Sequence, residues 1–209
     1  SEYAPLFGTA VFFATALALG VPLGIFWAMR RRRAELGERL RTMIGHFRPE
    51  LGHFFFFERL APQYGFTDRF RMLFGDETAD YGAALEKHYR DGAPADWNAH
   101  HVTPYASSHP HEDWAETFAH LLHLTDITDS FVAAGLQAPD LPGPDYDAYR
   151  ETDTERLITI GAGLGIALNH VNRSMGLQDI YPFVLTPPIR EKLAFVGRWM
   201  STNEGIGNG

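Results

Sequence analysis

Twenty-four consecutive residues, 6–29 (LFGTAVFFATALALGVPLGIFWAM), carry no charge, and Arg30, Arg31, Arg32 and Arg33 follow at once. A helix needs roughly 20 apolar residues to cross a hydrocarbon core, so this run predicts a membrane span. A cleaved signal peptide has a shorter apolar stretch with a basic residue ahead of it, whereas here Glu2 precedes the run. Arginines behind the span and none before it predict an outside N-terminus and a cytoplasmic remainder. Tyr3 and Trp27 stand where interfacial aromatics sit, and Pro22 is a candidate kink. Small residues recur every four positions within the run, at Ala10, Ala14 and Ala18 and at Ala16, Gly20 and Gly24. Such rows let a second membrane helix approach closely; a lone anchor would also contain them.

The rest of the chain reads as helices separated by turn residues. Helices are expected over 46–60, 68–74, 76–90, 112–124, 153–175 and 187–200, the last with proline in its first turn. The stretch LITIGAGLGIAL within 153–175 is too short to span a bilayer and is flanked by charge, which makes it a core helix. Residues 135–150, with Pro139, Pro142 and Pro144, are expected to be an extended connector. No period-2 strand stands out. The expected architecture is therefore mainly α, with an N-terminal transmembrane helix and a helical domain. The boundaries read as 1–33 for the anchor and its basic flank, 34–200 for the domain and 201–209 for a polar tail. The absence of cysteine removes disulfides and thiolate zinc sites. A formal charge of −8 gives no nucleic-acid footprint.

Chemistry is concentrated in two stretches. In GHFRPELGHFFFFERL (45–60), the segment Pro49-Glu50-Leu51-Gly52-His53 has the form of a zinc-protease helix, His-Glu-x-x-His, with one change. In that motif the two His bind metal from one face and the Glu polarises the attacking water. Here Glu50 and the second His, His53, are present, and proline stands at the first ligand position. Five residues alone fit an ordinary amphipathic helix as well. The second stretch is YASSHPHEDWAETFAHLLH (105–123). Glu112 and Glu116 lie one turn apart, so that one could face a metal while the other orients a neighbour from behind. Tyr105, at the entrance of that helix, could stabilise an oxyanion. A surface helix with acidic residues at its N-terminus is the plainer reading.

These stretches, together with FRMLFGDETADYGAALEKHYRDGAPADW, LNHVNRSMGLQDIYPFVL and EKLAFV, resemble the bacterial zinc-binding metallopeptidases that usually begin with a zinc ribbon. The resemblance covers residues 41–200 or so and implies a zincin-like helical domain. It implies Glu50 as general base, His53 and Glu112 as zinc ligands, and Glu116 supporting them. This chain departs from the pattern at Pro49, where the family has His, and at His111, where it usually has Trp. Where the resemblance implies the family's upstream region, the apolar run is expected to stand instead. His46, His109, His120 and His123 belong to the family pattern, which leaves His111 as the unusual candidate for a compensating ligand.

The combined expectation is a membrane-anchored, catalytically inactive relative of a peptidase. It would sit in a bacterial inner membrane and act as a structural or accessory subunit of a larger membrane complex. Its partners would be membrane-protein subunits, with no resident cofactor. Photosynthetic reaction-centre and antenna complexes and respiratory complexes are candidate hosts, and the photosynthetic one is the working guess. The alternative is an active membrane-anchored zinc metallopeptidase with an altered metal site.

Overall fold

The computed structural model describes residues 43–137 and 143–202, all within the unit Thr42–Gly209. The apolar run, its Ala and Gly rows, the four arginines and residues 203–209 lie outside the described residues. Six α-helices make up the described part: α1 (Met43–Phe55), α2 (Phe66–Phe74), α3 (Tyr81–Asp91), α4 (Pro110–Ala133), α5 (Thr154–Ser174) and α6 (Pro187–Thr202). The last turn of α1 widens into a π-helical segment, Phe56–Leu60, and short 3₁₀ turns form at Trp97–Ala99 and Tyr105–Ser108. No strand occurs among the described residues. None of their helices is long and apolar enough to cross a membrane.

Helix α4 is the axis of the fold, and α1, α5 and α6 all pack on it. Its N-terminus is sharply defined. The His109 side chain accepts a hydrogen bond from the His111 amide, and Pro110, which has no N–H to satisfy, opens the helix. Trp114, fully buried, fills the centre. Around it lie Phe56, Phe66, Phe70, Phe74 and Phe195, with ring centroids 5.6–6.3 Å from the indole. The Trp114 indole N–H donates to the Gly52 carbonyl at 2.8 Å, so the core aromatic also ties α4 to α1. Gly52 permits this approach, because a Cβ there would stand 3.0 Å from Ala115 Cα and 3.2 Å from the Phe118 ring. Gly161 does the same for α5, where a Cβ would come within 2.9 Å of the Leu124 carbonyl oxygen. Gly161 thus serves helix contact and Gly165 leaves room for the Tyr181 ring, while a Cβ at Gly163 would meet nothing; one face of the stretch is core, as expected.

Three boundaries differ most from the sequence reading. Helix α3 starts at Tyr81 and not at 76, because Asp80 caps it by accepting from the Ala83 amide. Helix α4 continues nine residues past 124, to Ala133. The third concerns proline. Proline favours a helix that starts at, or is kinked near, Arg48–Pro49; the late start does not occur, because α1 is helical from Met43 and carries Pro49 inside.

Candidate active site

Helix α1 turns His53 toward the first turn of α4. His53 Nε2 lies 3.5 Å from Glu112 Oε1. The same carboxylate oxygen accepts a 2.6 Å hydrogen bond from the Tyr81 hydroxyl at the start of α3. Glu112 is 4% exposed, so its charge depends on these partners. Burial pulls the His53 pKa down. The Glu112 hydrogen bond and charge, with help from Glu50 and Glu116, more than offset it and leave the imidazole above its ordinary value. The Tyr81 phenol is raised by burial and by the adjacent Glu112 charge, while Tyr105 pulls the other way by hydrogen bonding to it.

The structure therefore brings His53, Glu112 and Tyr81 together, with Tyr105 behind Tyr81. Glu116 is buried one turn further along α4 and accepts from the Thr103 hydroxyl at 3.1 Å. Glu50 is exposed on α1 and Pro49 is buried. His111 is wedged against Phe56 and Phe57, with ring centroids 4.8 Å away in each case, and against His109, also at 4.8 Å. Burial, together with His109 and His53, lowers its pKa to about 4.

The other family-pattern histidines have their own partners. His109 bonds to the Ala79 carbonyl through Nε2 at 3.1 Å, consistent with its capping role through Nδ1. His120 pairs with the Tyr181 hydroxyl at 3.1 Å. His123 meets the Arg48 guanidinium, which also pairs with Asp126. The His46 side chain lies outside the described residues.

Zinc needs three protein donors and an open position for water in a catalytic site. Among the described residues no three His, Asp or Glu side chains converge as a metal site. Proline offers no donor, and His53 and Glu112 face each other. The described residues do not bring together the donors of a catalytic zinc site.

Sequence reasoning missed two features. Tyr81 is 31 residues from Glu112 and reaches it only because the start of α3 meets the first turn of α4. A buried ion pair, Lys192 on α6 with Asp113 on α4 at 2.5 Å, is joined by His101 at 3.2 Å and by the His100 carbonyl at 2.8 Å. Its members are spread over more than 90 residues.

A family model described as "Putative zinc-binding metallo-peptidase" matches residues 27–199. The chain is 44% identical over 164 residues to "Uncharacterized protein Mb2598c" of Mycobacterium bovis. The identity to "Uncharacterized protein Rv2568c" of Mycobacterium tuberculosis is the same. Each alignment covers 78% of this chain and 48% of the relative. The chain thus spans about half the length of the curated relatives it matches. No solved structure matches it.

Proposed function

Since the chain belongs to the zinc-binding metallopeptidase family, we propose that it is a degenerate member of it. In this reading it acts as a membrane-anchored structural subunit of a larger membrane complex and does not hydrolyse peptides. One observation carries the loss of catalysis. Pro49 occupies the first-ligand position inside α1, while the remaining candidate ligands, His53 and Glu112, are engaged with one another and with Tyr81. General-base assistance by Glu50 is worth about 10²–10⁴-fold, and only when a positioned water is there to be activated. An exposed Glu50 beside a proline has no metal-bound water to act on.

The membrane half of the proposal rests on the uncharged run 6–29 and its basic flank. The Ala and Gly rows supply a surface on which a partner helix could pack, and a photosynthetic or respiratory complex is the kind of host such a subunit would join.

The test is zinc stoichiometry and peptide hydrolysis of the chain purified in mild detergent, beside Glu50→Gln and together with identification of co-purifying chains. The expected result is zinc well below one per chain, no hydrolysis above that of Glu50→Gln, and membrane-protein partners in the preparation. Stoichiometric zinc with hydrolysis lost in Glu50→Gln would replace this reading with an active enzyme.

A further inference from the structure

Residues two apart on a helix point about 200° away from each other, so Leu51 and Phe55 face away from His53. On that opposite side of α1 lies a half-open cavity of about 820 Å³, in the range of roughly 300–1,000 Å³ typical of small-ligand sites. Its floor is apolar: Leu51 and Phe55 of α1, Phe118 and Leu121 of α4, Leu157 of α5 and Met200 of α6. Two guanidiniums, Arg59 and Arg150, stand among the lining residues.

The charges at this cavity are not balanced. Glu151, the carboxylate of the lining, is already engaged: it accepts from the Tyr146 hydroxyl at 3.0 Å and from the Asp153 amide at 2.9 Å, and it faces Arg156 at 3.5 Å. Arg150 shares Asp147 at 3.5 Å while remaining largely exposed. The Arg59 guanidinium has no hydrogen bond or ion pair with any described residue. The cavity therefore combines an apolar floor, which gains by excluding water, with a cation that has no anion among the described residues.

We propose that this cavity binds a long-chain carboxylate, with the alkyl chain along the Leu51–Phe118–Leu157 floor and the head group on Arg59. A planar guanidinium matches a carboxylate with two parallel hydrogen bonds. The volume suits one alkyl chain, and one guanidinium unpaired among the described residues suits a single negative charge. The proposal is independent of the fate of the motif on the other face of α1.

Photo-crosslinking on membranes containing the full chain tests it. The probe is palmitic acid with a diazirine midway along its chain, and labelled peptides are mapped by mass spectrometry. Label is expected on residues 51–59 and 118–125. Unlabelled palmitate should compete about tenfold better than methyl palmitate, as suits loss of one charge-assisted hydrogen-bonded pair. Arg59→Gln, an exposed change that spares folding, should abolish that preference. Leu121→Trp should fill the cavity and remove the label, with circular dichroism confirming the fold. Label confined to residues 6–29, equal competition by the ester, or indifference to Arg59→Gln would each overturn the proposal. So would labelling that occurs only after deletion of residues 203–209, which would make the chain's own tail the occupant.

Discussion

At the scale of single residues, protonation is decided by burial and by one carboxylate. His120 is fully buried beside Tyr181 and is lowered to about 3. His111 and His123 are each lowered to about 4, mainly by burial. A histidine with a depressed folded-state pKa contributes stability that is present above its unfolded value of about 6.5 and is lost as pH falls below it. His53 has the opposite sign: its raised pKa contributes stability below about 6.5 that is lost as pH rises through the folded value. His88 is lowered by burial as well, so four lowered groups outnumber one raised group. Stability in urea should therefore fall between pH 6.5 and 5, a window in which most carboxylates stay ionised. His120→Gln should make that slope shallower, and His53→Gln should make it steeper. Identical slopes for the natural protein and His120→Gln would show that the buried imidazole does not resist protonation. The sequence displayed every one of these histidines, and it marked His53 by motif spacing, while only the family resemblance singled out Glu112 from Glu116. It could not rank them by burial, nor show Tyr81 reaching Glu112, because both depend on how helices far apart in the chain meet.

At the scale of the element, α1 carries a conflict that the sequence half revealed. Proline within a helix removes one hydrogen bond and clashes with the carbonyl four residues back, at a cost of about 3 kcal/mol. That rule favours a helix start at Arg48–Pro49, and it loses here because tertiary contacts hold the turn on both sides. Arg48 engages His123 and Asp126 on α4, and Asp126 also accepts from the Tyr149 hydroxyl. One turn further, the Gly52 carbonyl accepts the Trp114 indole N–H. Two substitutions should therefore shift stability in opposite directions. Pro49→Ala restores an amide donor inside the helix and should stabilise by about 1–3 kcal/mol. Gly52→Ala puts a methyl group 3.0 Å from Ala115 Cα and should cost about 1–3 kcal/mol as α1 is pushed off α4. Urea midpoints at unchanged m-value measure both. A neutral Gly52→Ala would mean that the α1–α4 seam yields more easily than its close contact implies. The helices themselves were legible from periodicity and turn residues. Their ends were less so: Asp80 as a cap and the continuation of α4 to Ala133 depend on local hydrogen bonds and packing that apolar spacing does not encode.

At the scale of the whole molecule, the sequence carried the family and the helical class, because long ordered motifs and apolar periods survive in one dimension. The cavity behind α1 was invisible, since its lining is drawn from α1, α4, the connector, α5 and α6, and no one of these segments is unusual alone. The organisation of the chain about a membrane is the largest remaining proposal, and it rests on charge placement. The formal charge of −8 does not oppose it, because orientation follows Lys and Arg near the span and not net charge. Within about 20 residues of the run's end stand Arg30, Arg31, Arg32, Arg33, Arg39, Arg41 and Arg48, whereas residues 1–5 hold no basic residue. A span of 24 uncharged residues exceeds the roughly 20 required, so it can cross with some tilt. Two measurements check the arrangement separately. Retention in the pellet after alkaline carbonate extraction reports insertion, and release of the chain would remove the span altogether. Protease added to right-side-out vesicles reports orientation. With the N-terminus outside, residues 34–209 should survive until the vesicles are opened with detergent. Digestion of that region in sealed vesicles, with the chain still resistant to carbonate, would keep the span and reverse its direction.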